Sequence, residues 1–316
     1  MNINVAYACN EAYMEQTSVS LISLFEHNRD LDGVNVYFID MGITTESAED
    51  LKELVQSFGG QLFIIPFDDI AFDLNVRSTG RHTQSVYAKI FFGRIGGIDR
   101  IIYLDSDIIV ADSLLPLWQM NLEDCVCAGV ETIHTIKDNE KMGLLPEERA
   151  INDGMVLMDL AGWRQGNYLE KCLAYIAEKN GQPPVLSEGT INAVCKGKIK
   201  VISPRYNLMS AVVGANTKKL EVITGRKYYD QQTIDDATKN PCIIHYLSGF
   251  YNRPWCKECS HPFKDKYLFY RKKTKWANKP LQDKKLPTRI KFVGLLYKYL
   301  PASIFVILRK ALGKSQ

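Results

Sequence analysis

Four short apolar runs, at residues 3–9, 34–39, 61–66 and 100–104, alternate with segments that carry helix signals. Residues 15–28 place Leu21, Leu24 and Phe25 at helical spacing. Thr45 can cap a second helix whose first turns hold Glu46, Glu49 and Asp50, and Gly59-Gly60 stops it. A third helix is expected over 83–95, ended by Gly96-Gly97. Apolar strands alternating with helices imply a largely parallel sheet covered on both faces. In the common doubly wound order 3-2-1-4, strands 1 and 4 are neighbours, and ligands bind beyond their carboxyl ends. The loop Ala8–Tyr13 and the segment Asp105-Ser106-Asp107 should therefore converge on one crevice.

The second half is less regular. Met155–Leu160 reads as a strand, Trp163–Asn180 as a helix, Thr190–Lys196 as helical, Lys198–Ile202 as extended and Cys242–Leu247 as a strand. No clear linker precedes about Lys264. The expected fold class is α/β, a Rossmann-type parallel or mixed sheet with helices on both faces. The expected organisation is one catalytic domain over residues 1–263, with a nucleotide half near 1–110 and an acceptor half near 111–263, and a C-terminal extension over 264–316.

With 316 residues, 46% hydrophobic and 24% charged, the chain can bury a sizeable core and is neither disordered nor of low complexity. Residues 1–10 lack the pattern of a signal peptide, and no run approaches the roughly 20 apolar residues of a spanning helix. The protein is thus expected to stay in the compartment where it is made, with its eight cysteines reduced. Cys256-x-x-Cys259 followed by His261 invites a zinc reading, but no second C-x-x-C supports it, so structural thiols are expected. Cys125 and Cys127 read as core or loop thiols.

The net charge of +3 hides an asymmetry. From Lys264 onward there are fifteen Lys/Arg and two acids, which puts the tail near +13 and the body near −10. Beyond Leu286, apolar residues alternate with Arg289, Lys291, Lys298, Arg309 and Lys310, and no acid occurs. Basic amphipathic segments lie in membrane interfaces. Pro301 should break this one into two pieces too short to span a bilayer. An anionic membrane surface is the expected partner, nucleic acid is not, and a helix packed on the catalytic domain is the competing reading.

Asp105 and Asp107 stand two apart at a strand end, so both carboxylates can face one cation. Hard divalent ions such as Mn²⁺ or Mg²⁺ favour oxygen ligands and bridge carboxylates to phosphates, easing departure of a diphosphate. His245 ends the apolar run CIIHY. The residues after it, Ser248 to Trp255, offer a glycine for close backbone approach and Arg253 for a phosphate.

The order YLDSD, then Asn152-x-Gly154, then HYLSGFYNRPW resembles glycosyltransferase family 8 over about residues 3–263. That family includes bacterial lipopolysaccharide and lipooligosaccharide galactosyl- and glucosyltransferases and glycogenin. The resemblance implies a GT-A fold, a UDP-hexose donor, Mn²⁺ (or Mg²⁺) and transfer with retention. It also implies a saccharide or lipid-linked acceptor of the cell envelope, met in the cytoplasm at the inner face of the membrane. Carried over by position, Asp105, Asp107 and His245 would be metal ligands. Ala8, Asn10 and Tyr13 would hold the uridine, with Ser106 in the same donor-binding set, and Gly249 and Arg253 would face the diphosphate. Lys89 would lie near the donor sugar and diphosphate, and Asn152 would bond the donor sugar.

One departure stands out. Where the family often has Asp-Gln-Asp, this chain has Ser187-Glu188-Gly189. Glu188 is the carboxylate left to contact the sugar or stabilise its oxocarbenium-like transition state; otherwise it merely charges a helix N-terminus. Two competing functions are a haloacid-dehalogenase-like phosphatase, since DSDIIV resembles that nucleophile motif, and a non-catalytic UDP-sugar-binding homologue.

Overall fold

The computed structural model describes residues 1–77, 84–247, 249 and 251–313, with Val306 and residues 309–313 described for their backbone alone. Among the described residues ten strands form: β1 (Asn2–Cys9), β2 (Gly33–Asp40), β3 (Gln61–Pro66), β4 (Arg100–Leu104), β5 (Ile108–Val110), β6 (Cys127–Glu131), β7 (Ile151–Asp159), β8 (Ile199–Ile202), β9 (Leu208–Met209) and β10 (Ile243–His245). Seven make one sheet in the order β3-β2-β1-β4-β7-β6-β8. The first four run parallel, β7 is antiparallel to β4 and β6, and β8 is parallel to β6, so the sheet is mixed. The remaining three make a small sheet, β5-β10-β9.

Alternating side chains of the central strands feed two cores. Val5 and Tyr7 with Ile102 and Leu104 pack beneath helices Met14–Glu26 and Thr45–Ser57. Ala6 and Ala8 with Ile101 and Tyr103 pack against Ile90, Phe91, Trp163 and Ile191 on the other face. Both faces are thus covered, as the near-continuous apolar strands require.

Several boundaries differ from the sequence reading, each for a local reason. The second helix starts at Thr45, and its cap is Thr44, whose hydroxyl accepts from the Ser47 amide at 3.2 Å. The helix expected over 83–95 is a 3₁₀ helix, Gln84–Arg94, and residue 83 lies outside the described residues. The long central helix is two, Leu160–Gln165 and Tyr168–Glu178. Gly166 and a left-handed Asn167 (φ 51°) end the first of these. β7 begins four residues earlier than expected, at Ile151, and its first polar residues, Asn152 and Asp153, are buried by partners in the site. The next helix begins at Leu186 and takes Ser187-Glu188-Gly189 into its first turn.

The tail is bound to the body. Helix Lys264–Arg271 buries Tyr267 and Tyr270 with Val19 and Ile22 of the first helix. Arg271 pairs with Glu15 at 2.7 Å, Lys273 with Glu26 at 2.6 Å, and Lys275 with Asp50. A smaller share of the tail's positive charge is therefore free than its count suggests. Helices Thr288–Tyr299 and Ala302–Gly313 are separated at Pro301, as expected. Tyr297 anchors them, its ring edge-on to Phe305 and its hydroxyl bonded to the Ala211 carbonyl at 3.1 Å. Among the described residues no helix is long and apolar enough to cross a membrane. All eight cysteines are free thiols.

Candidate functional site

The two sheets meet at the end of β4. The Asp105 amide donates to the Gly154 carbonyl at 2.8 Å, which fixes where the chain leaves the large sheet. Three residues on, β5 pairs antiparallel with β10, setting His245 opposite Ile108, and the Tyr246 amide donates to the Asp107 carbonyl at 2.9 Å. This register delivers the imidazole to both acids: His245 Nε2 lies 3.0 Å from Asp107 Oδ1 and 3.8 Å from Asp105 Oδ2. A Cβ on Gly154 would fall 2.2 Å from His245 Cε1 and 2.8 Å from Asp105 Oδ2, so only glycine permits the approach. Among the described residues, Asp105, Asp107 and His245 are the one group of three metal-ligating side chains that closes, with ligand atoms all within 4.8 Å of one another.

A hydrogen-bond relay decides how the imidazole is presented. A carboxylate can only accept, so Glu188 Oε2 fixes Asn152 Nδ2 as its donor at 2.7 Å. Asn152 Oδ1 then accepts from Asn207 Nδ2 at 2.8 Å, and Asn207 Oδ1 is left to accept from His245 Nδ1 at 2.9 Å. The network assigns the proton to Nδ1 and turns the Nε2 lone pair toward Asp105 and Asp107. Burial pushes the His245 pKa down to about 4, so the ring is neutral at neutral pH. Two carboxylates and an imidazole lone pair aimed at one point fit a divalent cation such as Mn²⁺.

Around this point stand further charges. Lys89 is buried; its Nζ lies 2.9 Å from the Asp153 carboxylate, 3.9 Å from Asp105 Oδ1 and 4.3 Å from the centre of the Tyr103 ring. The Tyr103 hydroxyl donates to Asp105 Oδ1 at 2.6 Å. Arg253 reaches Asp107 Oδ2 and the Tyr246 carbonyl. Glu188 is buried and held from its other side by His134 Nε2. Burial alone would lower the His134 pKa, but the hydrogen bond and charge of Glu188 outweigh it and raise the pKa.

The loop after β1 holds the next expected site residues. Ala8 is buried near the strand end. Asn10 caps the turn Glu11–Tyr13 by accepting from the Ala12 amide at 3.2 Å. Tyr13 follows and is 46% exposed. Ser106 is tied to the first helix by Thr17, hydroxyl to hydroxyl at 2.9 Å. The loop after β1 and the segment after β4 thus converge as the strand order requires. Gly249 has open space around it, while Ser248 and Phe250 lie outside the described residues. Cys259 Sγ bonds to the Asn252 carbonyl at 3.0 Å and His261 Nδ1 accepts from the Phe263 amide at 3.1 Å, so both side chains brace this loop.

Three residues escaped the sequence reading: Asn207, His134 and Asp153. Asn207 sits in RYNLM and His134 in a loop after β6, with no motif around either. Asp153 is the middle residue of Asn152-x-Gly154, a position that the motif leaves unspecified.

The chain resembles known proteins in sequence and in fold. The family described as glycosyl transferase family 8 matches residues 4–259. General stress protein A of Bacillus subtilis (strain 168) is 26% identical over 263 residues, covering 82% of this chain and 88% of that one. The lipopolysaccharide 1,2-glucosyltransferase of Escherichia coli (strain K12) is 22% identical over 289 residues, covering 90% and 81%. The crystal structure of the galactosyltransferase LgtC in complex with donor and acceptor sugar analogs superposes with a TM-score of 0.70. That superposition has 19% identity and covers 91% of this chain and 98% of that one. The likeness is one of fold, and the fold is the GT-A arrangement.

Proposed function

This chain belongs to glycosyltransferase family 8, and from that premise we propose that it moves a hexose, galactose or glucose, from UDP to a saccharide of a cell-envelope glycan with retention of configuration. The observation that carries the reading is the closing of Asp105, Asp107 and His245 on one point, with Lys89 and Arg253 beside it. Asp105, Asp107 and His245 would hold Mn²⁺ (or Mg²⁺), which when bound neutralises the diphosphate as it leaves.

The protein's own residues divide the remaining work. Tyr13, Asn10 and Ala8 shape the uridine end, with Ser106 beneath. Arg253 and Gly249 face the diphosphate. Lys89 and Asn152 lie toward the sugar, and Glu188 places negative charge where the oxocarbenium-like centre develops. Residues 1–263 act as the catalytic unit and 264–316 as the extension.

That extension places the enzyme on the cytoplasmic face of the membrane, where a lipid-linked acceptor is met in two dimensions. The support is a helix face that exposes Phe292, Leu295 and Tyr299, with Ile307 exposed on the following helix and Arg289 and Lys298 exposed as well. Exposed apolar residues interspersed with cations suit an anionic interface.

The test of the donor reading is a panel of UDP-sugars assayed for metal-dependent release of UDP. Slow hydrolysis of UDP-galactose or UDP-glucose, above the other sugars, is the expected result. Tight UDP binding with no turnover of any donor would favour the non-catalytic homologue.

A further inference from the structure

Asp153 is a buried carboxylate that the donor-site assignment above leaves unused. Consecutive side chains on a strand face opposite ways. Asn152 accordingly joins the relay to His245, while Asp153 turns to the other side. There its Oδ2 accepts from Lys89 Nζ at 2.9 Å and from the Ser187 hydroxyl at 2.6 Å. The Asp153 backbone carbonyl takes a second bond from the same ammonium at 2.9 Å. Oδ1 makes no hydrogen bond to a described residue, and the side chain keeps 11% of its surface open. Lys89 therefore spans from Asp153 to within 3.9 Å of Asp105, and Asp153 supplies the counter-charge at the far end.

The partner at 187 is a serine, in the stretch where the first and third acids of Asp-Gln-Asp are missing. The third cannot be restored on this backbone. Val185 and Leu186 both have φ of 56°, and the chain they turn brings the Pro184 carbonyl to 1.8 Å from where a Cβ on Gly189 would lie. Position 187 carries no such bar, and its hydroxyl already touches Asp153.

We infer that Asp153 is a donor-binding residue that replaces the acid absent at Ser187, holding Lys89 with one oxygen and accepting a hydroxyl of the donor hexose with the other. The inference rests on the UDP-hexose reading.

The test exchanges the two groups. Asp153→Ser should lower kcat/KM for UDP-hexose hydrolysis about 10- to 100-fold, the worth of a hydrogen bond to a charged group. Affinity for UDP alone should fall by less than kcat/KM does, because the base and Arg253 contacts are elsewhere. The exchange Asp153→Ser with Ser187→Asp should recover most of the loss, whereas Asp153→Ser with Gly189→Asp should not. Asp153→Asn, which keeps the shape, should fall as Asp153→Ser does and serves if the serine variant does not fold. Wild-type activity in Asp153→Asn would overturn the assignment. So would an exchange variant that melts like wild type and works no better than Asp153→Ser. A wild-type protein that binds UDP yet hydrolyses no UDP-hexose would overturn the donor reading itself, and this assignment with it.

Discussion

Asn207 Oδ1 lies 2.9 Å from His245 Nδ1, and that contact selects which imidazole nitrogen faces Asp105 and Asp107. Partners of this kind fix the tautomer of a ligating histidine, and their loss costs about 10- to 100-fold in metal affinity. Asn207→Leu should weaken Mn²⁺ binding by that factor in a titration followed by calorimetry. Leucine keeps the branched shape of asparagine but is larger, and a melting temperature near that of wild type checks that the fold survives. An unchanged titration would remove the relay from the account.

Glu188 starts the same relay and, in the proposed function, faces the donor sugar. Glu188→Gln should lower turnover far more than affinity for UDP, because charge that builds on the sugar is present only in the transition state. His134→Gln, which removes the partner raised in pKa by Glu188, should lower turnover in the same direction but less. Near-wild-type turnover in Glu188→Gln would leave Glu188 as a helix-end charge.

His261 predicts how stability depends on pH. Its ring is buried between Tyr246 and Tyr251, and burial pushes its pKa down to about 4 from an unfolded value near 6.5. Above about pH 6.5 both states are neutral here and the full stability is present. As the pH falls from about 6.5 toward 4 the unfolded chain takes up a proton that the folded chain refuses, and on the order of 3 kcal/mol is lost. His245 adds a loss of the same sign. His261→Phe should flatten the fall in denaturant midpoint between these pH values without abolishing it; an identical slope would contradict the assignment.

The tail helices predict location. Phe292, Leu295 and Ile307 are 59%, 55% and 67% exposed, so replacing all three by serine should leave the fold untouched. The triple variant should float free of anionic vesicles at low salt where wild type sediments, and should hydrolyse UDP-hexose as wild type does. Equal sedimentation of both proteins, or of neither, would take the membrane role away from this face.

The parallel half of the sheet was legible because its strands are apolar runs and its helices carry caps and glycine stops. The crevice followed from strand order alone, and with it the meeting of Tyr13, Ser106 and Asp107. What stayed hidden was polar and long-range. The first residues of β7, from Ile151 to Gly154, fell outside the expected strand because a buried polar strand end has no sequence signature apart from its partners. Glu188 could be named as the remaining acid, but its grip on His245 runs through Asn207, 55 residues beyond Asn152 in the chain. The tail's charge was counted correctly, yet only the packing reveals that Arg271, Lys273 and Lys275 are neutralised by acids of the body.

The central claim is that Asp105, Asp107 and His245 hold a divalent cation against the donor's diphosphate. The most direct measurement is the affinity for UDP with and without Mn²⁺, in wild type and in Asp107→Asn. Mn²⁺ should strengthen UDP binding in the wild-type protein by at least about tenfold, the order expected when a cation neutralises a phosphate, and should leave Asp107→Asn almost unmoved while its melting temperature stays near wild type. The same Mn²⁺ enhancement in the variant as in wild type would contradict the claim.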